Sequence, residues 1–265
     1  MSDITDVTAI KHNAKFTRNI TDEITMLIEK LSSSSVSRVL DPMGGVGGIF
    51  DIHSIEADGK YRYQVDMVEI EHEWAVAATM HPLAEAGTDN VYEADFLTWE
   101  PAAYWLYDFV VTSPTYGNRM ADHHEAKDGS KRNTYRHTLG RQLTDGSSAS
   151  MQWGDDYRDF HEDAWTKVWD LLAPGGYFIV NVKDHIRKGE KMPVSAWHRG
   201  LLLSLGFELV DTRNLKVRGN RQGRNGQVRV DNEQVYVFKK PVDGCIGGCI
   251  GPHVSPECCP DDLAG

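Results

Sequence analysis

Along most of this chain, apolar residues recur in two alternating patterns, helical spacing and short β-type runs. Over residues 19–31, Ile24, Leu27, Ile28 and Leu31 share one face of a predicted helix, with Thr21 and Asp22 near its start. A serine loop at 32–35 leads into residues 36–40, read as a strand. That strand passes directly into Asp41-Pro42-Met43-Gly44-Gly45-Val46-Gly47-Gly48, with a helix expected from about Gly48. Further strands are predicted at 63–68, 90–94, 108–112, 177–182, 207–211 and 233–238. Helical patterns occupy 153–172, stopped by Pro174-Gly175-Gly176, and 195–205, broken by Gly206. Strands alternating with helices predict an α/β domain: a mostly parallel twisted sheet with an antiparallel last strand and helices on both faces.

The strand ends carry the chemistry. Asp41, Glu69 (in Glu69-Ile70-Glu71), Asp95 (with Phe96) and the turn Ser113-Pro114-Thr115-Tyr116 close four successive strands. In an open parallel sheet all four fall at one edge, where ligands of such sheets bind. The glycines after Asp41 let backbone approach a ligand closely. The loop has no Gly-Lys-Ser/Thr ending, which argues against a nucleoside triphosphatase. An acid at the tip of the strand after a Gly-rich turn suits a ribose diol. Each feature alone is commonplace in α/β proteins; the ordered set is specific.

The chain's 265 residues are 40% hydrophobic, enough for one large domain with its own core. No apolar run reaches 18 residues and the N-terminus is polar, so the expectation is a cytoplasmic protein with no membrane contact. All four cysteines (Cys245, Cys249, Cys258 and Cys259) fall in the final segment, so disulfides do not build the core. The net charge of −11 argues against a polyanion partner until it is divided. Residues 1–110 hold 7 Lys and Arg against 19 Asp and Glu, whereas residues 111–240 hold 21 against 16. Local charge governs attraction to phosphate, so the later half is the part suited to nucleic acid.

These residues together resemble S-adenosylmethionine-dependent methyltransferases that modify exocyclic amines of DNA bases, N4 of cytosine or N6 of adenine, as in restriction–modification. The likeness covers roughly residues 11–240, within one methyltransferase domain, taken as residues 1–240, with the Rossmann-like fold. It implies S-adenosylmethionine as cofactor, held by Asp41, Pro42, Met43, Gly44, Gly45 and Gly47, with Glu69 and Ile70 at the ribose. Asp95 and Phe96 would serve the adenine, and Phe16 and Thr17, from Ala14-Lys15-Phe16-Thr17, would border the methionine end. Ser113-Pro114-Thr115-Tyr116 is similar to the family's Ser/Asp/Asn-Pro-Pro-Tyr/Phe motif, with Thr115 where a second proline is usual. An exocyclic amine is a poor nucleophile because its lone pair is delocalised into the base. Ser113 Oγ and the Pro114 carbonyl would accept its two hydrogens, and Tyr116 would stack on a base flipped from the duplex or offered as single strand. Residue 115 is expected to shape the turn without supplying side-chain chemistry.

A long polar connection at 117–156 carries Asn118, Arg119, Arg136 and Arg141. It is read as a lid or target-recognition insert contacting phosphates and bases, against the alternative of a solvated insertion. Between 213 and 229 lie six basic residues and no acid, among them Arg218, Arg221 and Arg224, expected to form a loop on a phosphate backbone. The tail at 241–265 is expected to be unstructured; its cysteine spacing fits no standard zinc site, so no metal is assigned. Alternatives are methylation of guanine N2 or adenine N6 in RNA, and a cofactor-fold protein that binds without catalysis.

Overall fold

The computed structural model describes residues 17–58, 62–102, 105–117, 134–217 and 230–242. Helix α1 (Arg18–Leu31) turns Ile20, Ile24, Leu27 and Ile28 inward. Fully burying each such side chain is worth roughly 1.5–3 kcal/mol. The helix stops where the Ser32 hydroxyl donates to the Ile28 carbonyl at 2.7 Å. Strand β1 (Val36–Asp41) follows.

The segment Gly48–Asp58 is a 3-10 helix rather than the α-helix expected there. Its buried residues explain the tighter winding. Ile49 and Ile52 form one row and Phe50 and His53 the next, each pair three residues apart, the spacing a three-residue turn aligns.

Next come β2 (Arg62–Glu69), α2 (His72–Thr79), β3 (Asn90–Glu93), β4 (Tyr107–Thr112) and the short α3 (Tyr135–Leu139). They are followed by α4 (Asp155–Leu171), β5 (Leu172–Val182), a hairpin of β6 (His185–Arg187) and β7 (Glu190–Met192), α5 (Val194–Ser204), β8 (Glu208–Lys216) and β9 (Asn232–Lys239). Seven of the described strands form one sheet in the order β3-β2-β1-β4-β5-β9-β8. Pairing from β3 through β5 is parallel, and β9 runs antiparallel to both β5 and β8.

Alternation along β4 shows how the sheet is buried on both sides. Phe109 and Val111 enter a core under α1 and the 3-10 helix, while Val110 enters a second core built from Trp165 and Val168 of α4, Leu202 of α5 and Phe178 of β5. This is why β4 reads as a near-continuous apolar run.

Two boundaries differ from expectation in ways that matter for the site. β5 begins at Leu172, so Pro174-Gly175-Gly176 lies inside the strand; Gly175 N–H is taken by the Lys240 carbonyl at 2.8 Å. β8 continues to Lys216, which places Arg213 and Lys216 on a strand instead of in a basic loop. As an edge strand with alternating half-exposed positions, β8 tolerates those polar residues. Arg213 is engaged by Glu23 at 3.3 Å and Asp211 at 2.9 Å.

Candidate active site

The order of strands reverses between β1 and β4, and the loops leaving their C-terminal ends enclose a cavity of about 100 Å³. Such a switch point is where an open α/β sheet binds its ligand. Pro42, Met43, Gly45, Glu69, Ile70, Asp95, Phe96, Ser113, Pro114 and Tyr116 all line it. Residues from four separate strand ends, spread over 75 positions of sequence, therefore meet around one space.

The glycine loop is held by carboxylates behind it. Asp41 is 1% exposed and does not line the cavity; its Oδ1 accepts the Met43 N–H at 3.1 Å and so folds the turn. Burial pushes this carboxyl up to about 7, opposed by that N–H. Glu69 faces the cavity with both oxygens bound to backbone, accepting from Gly45 N–H and Glu71 N–H at 2.8 Å each. Gly45 meets it at φ 57°, a left-handed conformation that costs glycine least. Burial pushes the Glu69 carboxyl up to about 8, against the two N–H donors. Each of its oxygens keeps a lone pair for a hydroxyl donor. Asp95 folds its own turn by accepting Leu97 N–H at 3.0 Å, and its other oxygen packs beneath Gly146. Phe96 stacks on Trp99.

Gly44 and Gly47 stand back from the cavity. A Cβ at Gly44 would lie 2.1 Å from Met67 Cγ, and Gly47 packs on Phe50. Thr17 is the exposed N-cap of α1 and is not part of the lining. Phe16, Asn118, Arg119, Arg218, Arg221, Arg224 and the four cysteines lie outside the described residues.

The turn after β4 is tied to its surroundings from both sides. Ser113 Oγ and Tyr116 Oη are 3.0 Å apart, and Asn181 Nδ2 reaches them at 3.1 and 3.0 Å. The same amide donates to Glu233 Oε2 at 2.9 Å, and Tyr116 Oη donates to that oxygen at 3.2 Å. Lys183 pairs with the second Glu233 oxygen at 3.3 Å. Burial, with Glu233 beside it, holds the Tyr116 phenol well above its ordinary value, so the hydroxyl stays protonated. Tyr116, one of the residues that line the cavity, is thus anchored by its hydroxyl.

Thr115 does more than shape the turn. Its hydroxyl donates to the Ser148 carbonyl at 3.0 Å, and its own carbonyl accepts from Tyr157 Oη at 2.7 Å. Tyr157 leans on His198 Nε2 at 2.9 Å, and the other ring nitrogen of His198 accepts from Trp165 Nε1 at 2.9 Å. The turn that lacks a second proline is therefore stiffened by hydrogen bonds on each side of residue 115.

The described part of the connection, residues 134–154, forms a roof. Tyr135 of α3 packs edge-on against Trp74 of α2 at 4.9 Å, and both line the cavity. Glu71 accepts from Thr144 N–H at 2.9 Å and from Thr144 Oγ1 at 3.0 Å. Arg141 joins Glu71 at 2.7 Å and also grips Glu73, whose carboxyl it holds below the usual range. Arg141 is consequently neutralised within the protein. Arg136 sits half-buried in α3, away from the cavity lining. The connection closes on itself: Gly117 accepts Trp153 N–H at 3.1 Å, and a Cβ on Gly117, at φ 62°, would lie 2.6 Å from that nitrogen.

The sequence pattern did not single out Asn181, Glu233, Trp74 or the Ser147–Ala149 stretch. Only Asn181 leaves a signal, as a polar residue inside the apolar run Phe178-Ile179-Val180-Asn181-Val182.

No family profile and no curated protein matches the chain. Among solved structures, it is similar to a candidate class I S-adenosylmethionine-dependent methyltransferase from Listeria monocytogenes, at 12% identity and TM-score 0.53. That match covers 88% of this chain and 62% of the Listeria protein, so the chain spans less than two thirds of that protein's length. It is also similar to a candidate RNA methyltransferase from Pyrococcus horikoshii, at 13% identity and TM-score 0.51, covering 88% and 90% of the two chains. The fold is the Rossmann-like methyltransferase fold, with its mostly parallel seven-stranded sheet.

Proposed function

We propose that this chain transfers a methyl group from S-adenosylmethionine to an exocyclic amine of a nucleic-acid base, N4 of cytosine or N6 of adenine in DNA. The observation that carries the reading is the placement of Ser113 and Tyr116 on the same cavity as Gly45, Glu69 and Asp95. The cofactor fits the residues present: Glu69 offers lone pairs to a ribose diol, Asp95 an acceptor to an amine, and Ile70 and Phe96 apolar walls to the adenine. Once bound, it supplies an electrophilic methyl whose bond to sulfur breaks as the new N–C bond forms, leaving a neutral thioether.

The chain's own work is orientation. Ser113 Oγ directs its proton to Tyr116 and takes one Asn181 N–H, which leaves a lone pair for a hydrogen of the target amine. Drawing that hydrogen aside aims the nitrogen's lone pair at the methyl. Holding the reactants so aligned is worth several kcal/mol of barrier, up to about 7–11 in the best cases. The Tyr116 ring, fixed by its hydroxyl, provides a face for a base that has left its stack.

A second reading, methylation of a base in RNA, draws support from the fold shared with the Pyrococcus horikoshii protein. Tritium transfer from labelled S-adenosylmethionine to duplex DNA, single-stranded DNA and bulk RNA, followed by digestion to nucleosides, separates the two. Label in N4-methylcytosine or N6-methyladenine from DNA is the expected result. Label from RNA alone favours the second reading, and cofactor binding without transfer to any of them refutes both.

A further inference from the structure

Methylation of a neutral amine leaves a cationic nitrogen that must lose a proton, and a serine hydroxyl by itself is too weak a base to keep it. Behind Ser113 the structure places a connected series of groups that ends in a carboxylate. Ser113 Oγ lies 3.0 Å from Tyr116 Oη, and Tyr116 Oη lies 3.2 Å from Glu233 Oε2. Glu233 is 7% exposed, and Lys183, its partner at 3.3 Å, has 18% of its side chain in contact with solvent.

Hydrogen counting gives the series a direction. The carboxylate accepts only, so the Tyr116 hydroxyl donates to it. Tyr116 is then the acceptor available to the Ser113 proton. Asn181 has two amide hydrogens and three acceptors within 3.1 Å, and with Tyr116 Oη occupied by Ser113 they go to Glu233 and Ser113. Turning the amide over would set its carbonyl against the Glu233 carboxylate, so the orientation shown is the favoured one.

Resting on the amine-methylation reading above, we propose that Glu233 is the terminal proton acceptor of the reaction, reached through Ser113 and Tyr116. As the amine nitrogen becomes cationic, its hydrogen passes to Ser113 Oγ, the Ser113 hydrogen passes to Tyr116 Oη, and the Tyr116 hydrogen passes to Glu233 Oε2. One N–H bond is broken and one carboxyl O–H bond is made, with each hydroxyl restored. Glu233 then returns the proton to water along the side opened by Lys183. Glu233 and Asn181 touch neither amine nor methyl in this scheme; they are positioning residues acting through Ser113 and Tyr116.

Two measurements test it. In the first, 3,5-difluorotyrosine is placed at position 116 and its ionisation followed by fluorine NMR in the free protein, with and without Glu233→Gln. The hydrogen bond to a carboxylate predicts that the Glu233→Gln protein ionises at lower pH, by about one unit or more; identical titrations overturn the relay geometry. In the second, Glu233→Gln and Tyr116→Phe are compared with the wild type on a base that the wild type methylates. Tyr116→Phe breaks the relay in the middle while keeping the Glu233–Lys183 pair, so it guards against a folding defect in the first variant. Both are expected to lower kcat on the order of 100-fold at neutral pH, with unchanged cofactor Kd and a rate that climbs with pH as hydroxide takes over. Wild-type kcat and pH profile in both variants overturn the proposal. A wild type that methylates no amine, with the fluorine titration as predicted, refutes the functional reading beneath the relay and the relay's role with it.

Discussion

The tie between the catalytic turn and the second core can be tested by a single atom, the Tyr157 hydroxyl. It donates to the Thr115 carbonyl at 2.7 Å and receives His198 Nε2 at 2.9 Å, while Trp165 Nε1 donates to His198 Nδ1 at 2.9 Å. The donors must all point one way, from Trp165 through His198 and Tyr157 to Thr115. Burial holds His198 well below the usual histidine value, so its single N–H is on Nε2. Tyr157→Phe keeps the ring and deletes the link. It strands the His198 N–H, at a residue with 0% exposure, and the Thr115 carbonyl, at a half-buried residue water can partly reach. A stranded buried group costs about 1–3 kcal/mol, so the variant is expected to lose about 2–4 kcal/mol. In urea unfolding, with m roughly 2–3 kcal/mol/M, the midpoint should fall by about 1 M at unchanged slope. Nitrogen NMR of the imidazole should show His198 protonated on Nε2 in the wild type. A stability loss under about 0.5 kcal/mol, or a proton on Nδ1, would refute the polarised chain.

Other consequences follow from the same geometry. Ser113→Ala should lower turnover on the order of 100-fold while calorimetry shows the cofactor Kd nearly unchanged, since Ser113 orients the amine; full activity would remove it from the mechanism. Ribose hydroxyls need the Glu69 carboxylate, whose free-protein value is about 8. Cofactor affinity should therefore rise with pH up to about 8, with proton release on binding below it, seen as buffer-dependent heat; Glu69→Gln should weaken binding and abolish the release. Buried His161, pushed down to about 4, must charge on unfolding once the pH is below the unfolded value of 6.5. Its contribution is present above 6.5 and lost as pH falls toward 4, about 3 kcal/mol over the window. Asp41 and Glu69, raised instead, contribute with opposite sign, so the test compares wild type with His161→Phe by urea unfolding at pH 7, 6, 5 and 4; parallel curves would contradict it.

Much of the fold was legible in the chain because a parallel sheet covered on both faces needs apolar residues at nearly every strand position. Strand β4 and the C-terminal part of β5 announced themselves that way, while β2 showed itself by alternation of polar and apolar residues. The residues that end them were legible too: a glycine loop, two acids and a Ser-Pro-Thr-Tyr turn must share one edge once the strands are parallel. Tertiary structure decided what local pattern does not encode. Glu233 reads only as the first residue of the last strand, and is buried because β9 pairs antiparallel with β5 and lays it against Asn181 and Tyr116. Thr115 reads as a weakened turn, and is stiffened only because the roof brings Ser148 to its hydroxyl and α4 brings Tyr157 to its carbonyl. Arg141 reads as a candidate phosphate ligand and is spent on Glu71 and Glu73 from the far side of the cavity. Strand and helix periods report which face of an element is buried; they carry nothing about which polar side chains meet across 70 or 100 residues of chain, and those meetings shape the site.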